Sequence, residues 1–224
     1  MERKIMAIKI LISGFENTGK STLVSKLEDS LIINCDKKDF AFQTLHTNKQ
    51  DYKGLDDFKK FCNEKILAYK NKYNKLPKYV VIDTITQLYG SMTNYNSSVY
   101  KGFNIHSQNE SDTLGINEYL EQLVSKGINI VISAHTKYNS DTGRYEIPSQ
   151  GKFRDSGSWL SIVNEAIHIS RDEENHLVHL KSKSLPVRSL IDWDKDSVNF
   201  NDFDINEYCS KIISVQAENE KFLI

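Results

Sequence analysis

Gly14-Phe-Glu-Asn-Thr-Gly-Lys-Ser-Thr22 satisfies G-x-x-x-x-G-K-[ST] at every fixed position. It is preceded by the apolar, β-branched run Ala7-Ile-Lys-Ile-Leu-Ile12 and followed by Lys20 to Leu27, where Leu23, Val24 and Leu27 mark one helix face. Strand, glycine turn and helix is the setting a phosphate-binding loop requires. In such a loop the glycines allow successive backbone N–H groups to face an anion, and the lysine reaches the outer phosphates. Gly14, Asn17, Thr18, Gly19, Lys20, Ser21 and Thr22 are thus the candidate nucleotide contacts, with Ser21 also a candidate Mg²⁺ ligand. The bland alternative is an ordinary glycine turn.

Working outward, Leu31 to Asn34 predicts a second strand, Phe40 to Leu45 a short strand or extended segment, and Asp56 to Tyr73 a helix. Tyr79-Val-Val-Ile-Asp83 and Ile128-Asn-Ile-Val-Ile-Ser133 are further apolar strands, the second closed by Ala134-His135-Thr136. A polar loop is predicted over 90–112, a helix over 116–126 and a second polar loop over 137–155. Val163 to Ser170 and His176 to Leu180 predict a hairpin-like pair. From Asp192 onward eight acidic residues stand against three lysines, with a helix near Ile205 to Val215. This pattern predicts an α/β fold, a mostly parallel sheet flanked by helices, with a core over 1–191 and an acidic extension over 192–224. In such sheets ligands sit at the carboxyl ends of the strands, where this chain carries Ser13-Gly14, Asp36, Asp83 and His135.

Asp83 is the expected second acidic partner of Mg²⁺; its alternative is a helix N-cap. Asp36, with Asp39 behind it, is the candidate base for a hydrolytic water, and His135 is either a γ-phosphate sensor or a structural histidine. Lys181 and Lys183 alternate on the last apolar run and would share a strand face, where they could clamp a phosphate or form a solvated edge. Residues 136–154 carry Lys137, Arg144, Lys152 and Arg154 interleaved with Tyr138, Tyr145 and Phe153, a composition suited to single-stranded nucleic acid. Tyr95, Tyr100, Lys101 and Phe103 give the 90–112 segment a similar character.

A net charge of −1 excludes a globally basic, histone-like binder. No apolar run approaches the ~20 residues of a membrane span. The three cysteines, Cys35, Cys62 and Cys209, are scattered without a Cys-x-x-Cys pair, which argues for a reducing cytoplasmic compartment and against a thiolate metal site.

Taken in order, the Gly14–Thr22 loop, the strand ending at Asp83-Thr84, the strand ending at His135, the segment Pro148-Ser-Gln-Gly-Lys-Phe-Arg154 and Lys181-x-Lys183 resemble the RecA-type ATPase core. The likeness is closest to small phage-encoded RecA-like ATPases that act as single-strand annealing recombinases, and it covers about residues 5 to 190. It implies ATP and Mg²⁺ as cofactors, with Lys20, Ser21 and Thr22 on the phosphates and Asp83 on the metal. His135 would take the sensor position where RecA carries glutamine, the loop after it would contact DNA, and Lys181 and Lys183 would reach the ATP of a neighbouring protomer. Single-stranded DNA, further copies of the chain in a ring or filament, and a single-strand DNA-binding protein are the implied partners. RecA-type proteins carry a glutamate base, for which Asp36 and Asp39 are the nearest candidates here. No separate N-terminal polymerisation domain is expected, since the first strand starts by about Ile5. Rival readings are a small-molecule or nucleotide kinase and an ATP-switched replication loader or adaptor.

Overall fold

Six consecutive buried residues, Lys9–Gly14, form β1, as an apolar run covered on both faces requires. The computed structural model describes residues 7–148, 158–219 and 221. After β1 come α1 (Lys20–Val24), β2 (Ser30–Asn34), α2 (Leu55–Tyr73), β3 (Tyr79–Asp83), α3 (Ile85–Val99), α4 (Phe103–Ser125) and β4 (Asn129–His135). β5 (Lys137–Asn139) and β6 (Arg144–Glu146) form a separate antiparallel hairpin. The chain closes with β7 (Glu165–Arg171), β8 (His176–His179), β9 (Ser197–Asn199) and α5 (Ile205–Asn219).

Among the described residues the main sheet has seven strands in the order β2-β3-β4-β1-β7-β8-β9. The first five of these run parallel; β8 pairs antiparallel with β7, and β9 antiparallel with β8. Side-chain alternation along the strands sorts the core into two layers. Leu11, Ile82, Ile130 and Ile132 face α2, α3 and α4, whereas Ile10, Ile12, Val81 and Val131 face α1 and α5. Residues Ile205, Tyr208, Cys209 and Ile212 supply the buried stripe of α5 at helical spacing. The acidic segment after Ile191 therefore adds the edge strand β9 and a helix that covers one sheet face. All three cysteines are buried and free. Among the described residues no helix is long and apolar enough to cross a membrane.

The polar loop expected over 90–112 is instead most of a helical hairpin, α3 and α4, broken at Gly102. Its outward polar residues, Asn94, Ser97, Lys101 and Asn104 among them, face water, but Asn96, Asn109 and Asp112 do not. Asn96 is buried and donates through Nδ2 to Asn109 Oδ1 and Asp112 Oδ2, both at 2.8 Å, while Gln108 donates to the other Asp112 oxygen. A buried amide–carboxylate cluster stands where periodicity looks for leucines. No strand forms over 40–45; only a bridge between Ile32 and His46 runs alongside β2. The second expected loop carries the β5–β6 hairpin.

Candidate functional site

Gly14 pairs with His135 across β1 and β4, and Asn34 pairs with Asp83 across β2 and β3. The strand ends that carry the candidate residues therefore lie on one edge, around a cavity of about 630 Å³. Asn17, Gly19, Lys20, Ser21, Thr22, Asp36, Asp39, Asp83 and His135 all line it.

The loop's shape follows from its small residues. A Cβ on Gly14 would stand 2.5 Å from Thr18 Oγ1 and 2.6 Å from the Ile169 carbonyl, so no side chain fits there. Gly19 sits at φ +94°, in the left-handed region. Thr18 donates its hydroxyl to the Phe15 carbonyl at 2.9 Å. Lys20 is buried, and its Nζ donates to the carbonyls of Gly14 and Phe15 at 3.0 and 2.5 Å. Burial pulls the Lys20 ammonium down to about 8, against the opposing pull of Asp83, Glu16 and Asp36.

Asp83 is almost fully enclosed, which raises its pKa; hydrogen bonds from the Ser133 and Ser21 hydroxyls work in the opposite direction. Its backbone carbonyl accepts from the Cys35 and Asp36 amides at 2.7 and 3.1 Å, which ties the β2 and β3 ends together. Asp83 does not cap α3: Thr84 does, accepting from the Gln87 amide. Mg²⁺ prefers hard oxygen donors and keeps most of its shell for water and phosphate, so one carboxylate and one hydroxyl are an adequate protein contribution. The buried Asp83 carboxylate with Ser21 beside it meets that requirement.

His135 is half-buried, and burial and the nearby Lys20 lower its pKa. Its Nδ1 lies 3.2 Å from Thr86 Oγ1, which also accepts the His135 amide at 3.3 Å and lies 3.1 Å from Thr84 Oγ1. The assignment that satisfies each group runs from the Thr84 hydroxyl to Thr86 and from Thr86 to Nδ1, leaving the ring proton on Nε2. Asp36 is half-exposed, with its amide on Asn34 Oδ1. Asp39 lines the rim and is ion-paired with Lys49 at 3.2 Å.

Lys181 and Lys183 depart from their expected setting. β8 ends at His179, so the two lysines do not share a strand face; Lys181 pairs with Asp192 at 2.6 Å, and neither lines the cavity. Lys137 and Arg144 are exposed on the β5–β6 hairpin. Lys152 and Arg154 lie outside the described residues. A second cavity, of about 780 Å³, lies between Phe15 and Tyr138 and shares Glu16, Gln87 and His135 with the first.

Sequence reasoning missed Ser133, Thr86, Glu16, Gln87 and Arg171, all at Asp83, at His135 or on the cavity wall. Ser133 was within reach: aligning the β3 and β4 ends sets it one step past the Ile82–Ile132 pair, opposite Asp83.

A family model described as an AAA domain matches residues 6–157. The chain belongs to that family. This AAA domain is accordingly a P-loop nucleotide-binding unit, and the match ends before β7, β8, β9 and α5. No curated protein matches it. Among solved structures it is similar to a KaiC-like protein from the hyperthermophilic archaeon Pyrococcus horikoshii, at 12% identity and a TM-score of 0.47, covering 82% of this chain and 79% of that one.

Proposed function

We propose that this AAA domain is a Mg²⁺-ATP-dependent ATPase of the RecA type that acts on single-stranded DNA in annealing or recombination, with ATP held between protomers. The observation that carries this reading is the convergence of Lys20, Ser21, Asp36, Asp83 and His135 on one cavity at the carboxyl edge of the parallel sheet.

Lys20, which now donates to two loop carbonyls, would turn to the phosphate oxygens, and Ser21 and Asp83 would hold the metal. Bound Mg²⁺ supplies neutralisation of the charge that builds on the phosphates during transfer. Ser133 orients Asp83 by donating to its Oδ1. Asp36 accepts the proton of the attacking water, and Thr86 fixes His135 so that Nε2–H is available as a donor within the cavity. The β5–β6 hairpin begins two residues after His135, and its exposed Lys137, Tyr138 and Arg144 offer the cations and aromatic faces that a single strand uses. Lys181, held by Asp192, and Lys183 lie outside their own cavity, and a neighbouring copy is what they would serve.

The test is ATP turnover with and without single-stranded DNA over a salt series. Stimulation that falls steeply with salt, and its loss in Lys20→Ala, is the expected result. Turnover indifferent to DNA would sink the nucleic-acid half, and a Lys20→Ala protein with unchanged turnover would sink the whole reading.

A further inference from the structure

The phosphate loop is touched from outside the region the AAA-family model covers. His176, the first residue of β8, brings Nε2 to 2.8 Å from the carbonyl of Thr18. A carbonyl only accepts, so Nε2 carries the proton. The imidazole lies flat on Phe200, with ring centroids 3.8 Å apart and 9° between the planes. Phe200 is itself buried, at the start of the 3₁₀ turn Phe200–Asp202 that follows β9. The same phenyl ring covers Gly19: a Cβ there would meet Phe200 Cζ at 2.9 Å and His176 Cε1 at 3.4 Å. Lys26 Nζ stands 5.4 Å from the Phe200 ring centroid. Just beyond α1, Asn206 at the start of α5 donates to the Lys26 carbonyl at 2.9 Å and accepts the Glu28 amide at 3.0 Å.

The Thr18 carbonyl belongs to the peptide unit whose N–H is that of Gly19, so whatever fixes the carbonyl also fixes the direction of that N–H. Loop amides bind phosphate only while they point inward together. We infer that His176, pressed into place by Phe200, is a positioning residue for the phosphate loop, so that the C-terminal strands pre-set it for the triphosphate. The inference rests on the nucleotide reading of this loop for its ligand, and on geometry alone for the brace. His176 does not line the nucleotide cavity, so it acts through the loop backbone.

The test uses the full chain with Mg-ATP in equilibrium titration and steady-state turnover, and amide hydrogen exchange on the free protein. His176→Ala should weaken Mg-ATP affinity about tenfold, the scale of one lost hydrogen bond. It should raise KM more than it lowers kcat and speed exchange at Gly19 and Lys20 in the free protein. His176→Gln, whose amide can donate to the same carbonyl, should recover most of both effects. Phe200→Leu, which keeps bulk and loses the stack, should reproduce the His176→Ala exchange pattern in milder form, and decides the matter if His176→Ala fails to fold. Wild-type affinity and exchange in both His176→Ala and Phe200→Leu would overturn the brace while Lys20→Ala still abolished binding. Faster loop exchange in His176→Ala and Phe200→Leu, with wild-type protein that takes up no Mg-ATP, would leave the brace standing and sink the nucleotide reading instead.

Discussion

Raising the pH from 7 to 9 should weaken Mg-ATP uptake by this domain about tenfold, through the buried ammonium of Lys20. Its burial beneath the phosphate loop brings its pKa to about 8, below the ordinary 10.5, even with Asp83, Glu16 and Asp36 nearby. At that value about 91% of the free protein carries the charge at pH 7 and about 9% at pH 9. If the triphosphate binds the charged form, apparent affinity follows that ratio. Binding raises the pKa, because a polyanion replaces two neutral carbonyls as partner, and at pH 8 each nucleotide should bring in about half a proton. Folding runs the other way: the unfolded chain holds the Lys20 proton up to about 10.5 and the folded chain only to about 8, so this group stabilises the fold as pH rises across that window. Loss of affinity above pH 8 thus cannot be laid to Lys20-linked unfolding. Isothermal titration across pH 7 to 9.5, in pairs of buffers with different ionisation enthalpies, gives both the affinity and the proton count. A flat profile in the wild type would refute the reasoning, as would the same slope in Lys20→Ala.

Acid should unfold this domain partly through His168, which is buried beside Ser13 and held down to about 4 by burial, with His179 and Lys20 adding to the effect. The folded chain keeps it neutral while the unfolded chain protonates it below about 6.5, so stability falls as pH drops, by about 2 kcal/mol at pH 5; urea midpoints of wild type and His168→Asn at pH 7 and 5 measure it, and equal losses in the two would exclude the histidine. Thr86→Val should leave Mg-ATP affinity within about twofold and lower turnover severalfold, because it frees the His135 ring without touching the phosphate loop, with Thr86→Ser retaining the wild-type rate. Unchanged turnover in Thr86→Val would remove the orienting role.

The parallel core was legible because β1, β3 and β4 are unbroken apolar runs that stop at Gly14, at Asp83 and just short of His135, and chain order then leaves few ways to wind them. The α3–α4 hairpin was illegible for a definite reason. Its interior is built on Asn96, Asn109 and Asp112, which satisfy one another, so the apolar stripe that signals a helix is thinned where the pair is buried. β9 was hidden differently, being three residues long and drawing its pairing from β8. The lysines at 181 and 183 show what spacing alone leaves open. An i, i+2 pair shares a face only if the strand continues, and this one ends at His179.

The strand order adds a constraint that no single motif carries. β4 stands between β1 and β3, so the β1 end at Gly14 and the β3 end at Asp83 are separated by two strand spacings, about 10 Å, and Ser21 on α1 reaches across to Asp83. The residues between those two strand ends are those at the end of β4. Ser133 bonds to Asp83, and His135, two residues on and thus on the same side of the strand, pairs in register with Gly14 and bonds to Thr86 at the start of α3. The β5–β6 hairpin starts immediately after. The terminus of β4 is thus the element that touches both Asp83 and the β1 end. From there the shortest covalent route leads into Lys137 and Tyr138, the exposed face this reading assigns to DNA.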